Sequence, residues 1–193
     1  AAAILVGVCV GKGGGGDGAD EDSSRQYFCT LFYSFTMAKS VAVFVGGEEN
    51  KAVMGGYLMF EQVSEDAPTN ITGEIKGLAP GKHALSINVY GNLSQGFASL
   101  GSHFNPFGKN HGAPAEETRH VGSLGNIEAN DEGVAKVDIS DNLVKLIGPQ
   151  SVIGRSIAVH ASEDDLGKGG HENSLVDGNS GPIVGAGIIG IVG

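Results

Sequence analysis

The chain has 193 residues, enough for one domain with a buried core and too few for two comfortable ones. Its formal charge is −10, from 12 Lys and Arg against 22 Asp and Glu, and a surface this acidic repels phosphate backbones, which argues against a nucleic-acid partner. The only two cysteines, Cys9 and Cys29, lie in the first 36 residues, so no thiol beyond Cys29 can supply a disulfide or a thiolate metal site.

Residues 1–36 differ in composition from the rest. Residues 1–10, "AAAILVGVCV", are apolar but too few to span a bilayer, which takes roughly 20. Residues 11–22 form a Gly-rich and acidic tract that reads as flexible linker. "GKGGGG" is not a phosphate loop, because no Gly-Lys-Ser/Thr order follows. Residues 1–36 are therefore expected to be a flexible extension or an artefact of gene prediction, and residues 37–193 to be the domain. The compartment reading is cytoplasmic, with no membrane partner. Secretion is the alternative if residues 1–10 are the remainder of a signal peptide.

From Ala38 onward the hydrophobic period is two rather than 3.6. "KSVAVFVGG", "YLMFEQVS", "TNITGEIKGL", "HALSINVYG", "GVAKVDIS", "SVIGRSIAVHA" and "GAGIIGIV" follow in order, each bounded by Gly, Pro, Asn or Asp. "APGK" at 79–82 and "NDEG" at 130–133 are turn chemistry. The pattern predicts an all-β domain of about eight strands, a sandwich or closed Greek-key barrel, with no convincing helix. Two long segments, roughly 91–123 and 161–182, break the rhythm, and loops of that length in a compact domain usually carry function.

The first of these reads "GSHFNPFGKNHGAPAEETRHVGSLG" and holds three of the six histidines, His103, His111 and His120. Their spacing fits no helix face, but a folded loop can gather them. Three converging imidazoles suit Zn²⁺, which takes about four N, O or S ligands at roughly 2.0–2.3 Å. From spacing alone, idle polar-loop histidines remain as good a reading.

The words around them go further. "HFNP", "RHVG", "VIGRSIAVH", "DDLGKGG" and "GIIGI", in this order over most of residues 38–192, resemble the copper–zinc superoxide dismutases. The resemblance implies an eight-stranded Greek-key β-barrel, an immunoglobulin-like sandwich, with two long functional loops over a metal site. It also implies a homodimer, with Tyr90, Gly91, Ile153, Gly154 and Ile191 on the pairing face. His103, His111 and His120 match the zinc imidazoles, and His103 and His160 match two of the four copper imidazoles. The other two copper positions fall on Ser86 and Asn88, and the zinc aspartate falls on Ser123. Asp164 matches the carboxylate that orients metal-binding imidazoles from behind, and His83 a structural histidine. The family's disulfide falls on Phe97 and Ala186, and its anion-guiding arginine on Ile183.

Neither a hydroxyl nor a carboxamide replaces imidazole for copper. The expectation is therefore a family member with a partial zinc site, weak or absent copper and weak or lost dismutase activity, acting as a binding or structural module. It would pair with itself or with a true dismutase. One alternative is an active superoxide dismutase, converting superoxide to oxygen and hydrogen peroxide, with a copper site rebuilt on His103, His160 and His171. Another is a copper-chaperone-like partner, against which stands the absence of any CxxC motif.

Overall fold

A computed structural model describes residues 37–47 and 55–192. The expectations for residues 1–36 lie outside the described residues. Eight strands of five or more residues carry the fold: β1 (Ala38–Val43), β3 (Gly55–Gln62), β4 (Thr69–Lys76), β5 (Gly81–Asn88), β7 (Ser123–Ala129), β8 (Val134–Asp141), β9 (Ser156–His160) and β10 (Ile183–Ile188). Three shorter segments, β2 (Val45–Gly46), β6 (Ser94–Phe97) and β11 (Gly190–Ile191), accompany them. The sheet order is β11-β1-β3-β4-β8-β7-β5-β9-β10-β2, with every strand pair antiparallel. The jump from β4 to β8 and the return through β7 to β5 make this a Greek key, in agreement with the fold read from sequence.

Period-two patterning explains the core. On β3 and β4, Leu58, Phe60, Ile71 and Ile75 point inward and are fully buried. Each such side chain contributes roughly 1.5–3 kcal/mol on leaving water. β5 departs from simple alternation, because every residue from His83 to Asn88 is buried. Leu85 and Ile87 enter the core. Ser86 and Asn88 face the other way, where the two long loops cover the sheet.

Differences from the sequence reading are local. The strand β7 was not among the quoted runs, because Gly125 and Asn126 break its apolar pattern; Gly125 has φ +71° there, and the β5–β7 register shifts between Ala84 and Ser86. One turn of α-helix, α1 (Ser174–Asp177), sits in the second long loop and ends at Gly178, whose φ of 72° is left-handed. A 3₁₀ turn covers Ala98–Leu100. Phe97 packs against Leu100, Ala158 and Ala186, so an aromatic contact joins the two positions where the resemblance places a disulfide. Of the residues assigned to a pairing face, Tyr90 and Ile191 are exposed. Gly91 has an internal reason to be glycine, since a Cβ there would meet Gly154 O at 2.0 Å.

Candidate metal centre

The site forms where the first long loop recrosses β5. Phe104 N donates to Ile87 O at 2.8 Å, Ile87 N to Gly122 O at 2.9 Å, and Gly122 N to Phe104 O at 2.9 Å. This backbone seam sets His103 and His120 side by side although 17 residues separate them. A Cβ on Gly122 would lie 2.1 Å from Ile87 O, so glycine is required for the approach. His111 enters from mid-loop, its N–H donating to Leu175 O in the second loop at 2.9 Å.

The three side chains the sequence singled out do converge. His103, His111 and His120 are buried, and each offers a nitrogen within 4.8 Å of the others. Ring centroids lie 5.4 Å apart for His103–His111 and 5.7 Å for the other two pairs. Both ring nitrogens of His103 and Nδ1 of His120 are buried with no hydrogen-bond partner. Such orphaned nitrogens are rare in a folded core and call for an ion or a water. Burial first, then the neighbouring imidazoles of His160, His111 and His120, push the His103 pKa down to about 3. His120 is also lowered, by burial and by His111, against a hydrogen bond from its ring to the Lys109 backbone carbonyl. These rings are neutral at pH 7, with lone pairs free for a metal. The triad fits zinc on this donor chemistry.

Around the triad stands a supporting shell. Asp164 Oδ1 lies 2.7 Å from His111 Nε2, and a carboxylate only accepts, so His111 carries its proton there. Nδ1 is then the lone pair, and it accepts from Ser123 Oγ at 2.8 Å. Asp164 is itself held by Asn126, which exchanges hydrogen bonds of 2.7 and 2.9 Å with its backbone. Arg119 is engaged through both terminal nitrogens, though its buried Nε has no partner among the described residues: Nη1 donates to His120 O at 3.1 Å and Ser123 O at 3.2 Å, and Nη2 pairs with Asp141 at 2.6 Å. Sequence reasoning passed over Arg119, Asp141 and Asn126; the one available signal was the arginine beside His120.

On the other side of His103 the residues are differently arranged. His160 lies 5.9 Å from His103 between ring centroids. Its Nε2 is 2.9 Å from Ser86 Oγ, and its Nδ1 is 3.0 Å from Gly181 O. Ser86 Oγ is also 2.9 Å from Asn88 Oδ1, and Asn88 Nδ2 donates to Gly101 O at 2.8 Å. Burial lowers the His160 pKa, partly offset by Gly181, Asp177 and Asp164. A cavity of about 440 Å³ opens over His103, His160 and Asn88, rimmed by Phe97, Val176 and Ile183, and among the described residues no Lys or Arg lines it. His171 is exposed and lies outside the cluster, with Nδ1 taking the Asn173 N–H at 3.2 Å. His83 is held by Ala79 O and His160 O, each at 2.8 Å, as a structural histidine would be.

Comparison with known proteins agrees with this geometry. The family model described as copper/zinc superoxide dismutase (SODC) matches residues 54–189. The Candida glabrata and Neurospora crassa proteins named Cu-Zn superoxide dismutase are each 53% identical over 156 residues, covering 80% of this chain and 99% of each relative. The Saccharomyces cerevisiae protein of the same name is 47% identical over the same spans.

Proposed function

The chain belongs to the copper/zinc superoxide dismutase family, and from that premise we propose that it is a zinc-holding member with weak dismutase activity. The single observation that carries the zinc half is the set of orphaned, buried nitrogens on His103 and His120 facing His111. Three buried imidazoles, one oriented by Asp164 from behind, form a donor set suited to zinc, which braces loops and has no redox state to change.

Dismutation needs a metal that takes up and returns one electron, the part copper supplies in this family. Its donor set does not fit here. Ser86 and Asn88 stand on the strand face where the resemblance places two imidazoles, and each spends its polar atoms on hydrogen bonds within the protein. The His160 nitrogen that would meet a metal is already paired with Ser86. With Ile183 at the rim, no guanidinium among the described residues draws an anion inward.

A second reading, superoxide dismutase in full, is supported by the identity of roughly half the residues to relatives that carry that name. It requires copper to be held by His103 and His160 against the Ser86 hydrogen bond. The two readings separate on metal content and on a superoxide assay after copper loading. The first expects about one zinc per chain, the stoichiometry of a single His₃ site, with copper lost to a mild chelator and little turnover. Stoichiometric, chelator-resistant copper with rapid turnover establishes the second and overturns the first. In the same assay Ser86→His with Asn88→His should raise copper affinity, since it restores two imidazole donors on one strand face.

A further inference from the structure

We propose that the cavity over His103, His160 and Asn88 is a binding site for a small uncharged primary amide. The inference rests on the reading that His103, His111 and His120 hold zinc. It goes beyond it in assigning a neutral ligand to the other flank of His103, where a dismutase would admit an anion.

The first observation is a shortage of protons. Gly181 O only accepts, so the His160 proton sits on Nδ1, 3.0 Å away, and Nε2 is a lone pair. Ser86 Oγ is 2.9 Å from that lone pair and 2.9 Å from Asn88 Oδ1. Turning the Asn88 amide round does not help, since its Nδ2 donates to Gly101 O at 2.8 Å. One hydroxyl proton therefore faces two acceptors, and one of them is always left without a donor. All three side chains are buried, where a bare acceptor is costly. A second proton on His160 would meet the shortage only by burying a charge. An N–H brought in by a ligand meets it without one.

The second observation is a donor with nothing to bond. His103 is 7% exposed, and neither of its ring nitrogens has a partner among the described residues. The two nitrogens point to opposite flanks of the ring. His111 and His120 stand 5.4 and 5.7 Å from it. His103 and His160 line the cavity while His111 and His120 do not, so the cavity lies on the flank away from the triad. A neutral imidazole that gives one lone pair to a metal keeps its proton on the other nitrogen, and that N–H normally finds an acceptor. Here it has none.

The cavity thus sets an idle donor beside a starved acceptor. A carboxamide carries C=O and NH₂ on one carbon and answers both. A carboxylate has no proton to give, and it would meet Asp177, the one acidic side chain lining the cavity among the described residues. An amidinium has no acceptor for the His103 N–H. Phe97, Val176 and Ile183 offer an apolar wall to an alkyl group. The volume of about 440 Å³ is many times a water's share of about 30 Å³, so a short branched amide fits.

Isobutyramide, isobutyrate and isobutyramidine share one shape and differ in charge. Each would be titrated into the full chain, zinc-loaded and zinc-free, by calorimetry, with NMR shift changes at Asn88 and His160 giving the place. Isobutyramide is expected to bind the zinc-loaded chain with a Kd of about 1 mM or tighter, within reach of so small a ligand. The two charged isosteres should bind about tenfold more weakly or worse, since each leaves a buried group unpaired. The amide should bind less well without zinc, and Asn88→Leu, which removes the acceptor at similar size, should abolish its binding.

No saturable amide binding, a preference for either charged isostere, or equal affinity with and without zinc overturns the proposal. So does an Asn88→Leu chain that binds like the parent. Zinc uptake is measured separately by chelator competition. A chain that takes up zinc but not the amide overturns this proposal alone; one that takes up no zinc overturns the zinc reading beneath it as well.

Discussion

At the scale of single residues, the buried ion pair of Arg119 and Asp141 does more for this protein than any surface pair. Both side chains are 3% exposed and meet at 2.6 Å. Two carbonyl oxygens, those of His120 and Ser123, accept from the other terminal nitrogen of the guanidinium. Asp141 spends its other oxygen on the N–H groups of Leu143 and Val144, at 2.8 and 2.9 Å. Removing one partner leaves an uncompensated charge in the core. Arg119→Ala is expected to cost about 3–5 kcal/mol, read as a lowered urea midpoint. The loss should be accompanied by weaker zinc binding, because the turn holding His120 and Ser123 is released. Lys82→Ala, which breaks a pair whose side chains are both 53% exposed, should leave the midpoint where it was. Equal losses from the two variants would mean that the buried pair does not brace the metal loop.

At the scale of elements, the site is a crossing of one strand by one loop, and the crossing explains what could and could not be read in advance. Alternation on β5 placed Ser86 and Asn88 together and opposite Leu85 and Ile87 without any coordinates, because side chains two apart share a face. Seven of the eight long strands and both long loops were likewise legible, since turn residues mark their ends. The strand β7 was not, because Gly125 interrupts its pattern with a left-handed residue. Nor was the seam among Ile87, Phe104 and Gly122, which is built from backbone groups that every sequence has. Arg119 and Asp141 lie 22 residues apart, with nothing in either segment to announce the other. The convergence of His103, His111 and His120 was open on spacing alone; the family resemblance favoured it, and the seam accomplishes it. That seam has its own test. Gly122→Ala would press a methyl group against Ile87 O, a contact of 2.1 Å that backbone must move to relieve. It should lower both the thermal midpoint and the zinc affinity. Gly55→Ala, where a Cβ meets none of the described residues within 4 Å, is the matching control and should be tolerated. A Gly122→Ala chain with native zinc affinity would show that the loop reaches its place without the seam.

At the scale of the whole molecule, the metal centre couples stability to acid. Burial and mutual repulsion hold His103 down to about 3 against an ordinary 6.5, and His120 and His160 are lowered as well. In the unfolded chain these imidazoles take up protons near pH 6.5; in the fold all three resist to lower pH, His103 to about 3. The unfolded state therefore binds more protons across that window, and stability rises with pH through it. The metal-free protein is expected to be most stable above pH 6.5 and to lose stability steadily as the pH falls toward 3. His103→Gln, which deletes the most strongly shifted ring, should flatten the slope of the urea midpoint between pH 7 and pH 4.5. Zinc competes with protons for the same lone pairs, so its stabilising effect should be largest above pH 6.5 and vanish on acidification or with chelator. A midpoint that is flat over this range, with and without zinc, would mean that the buried imidazoles are protonated as easily in the fold as in the open chain, and the cluster would then have no lone pairs reserved for a metal.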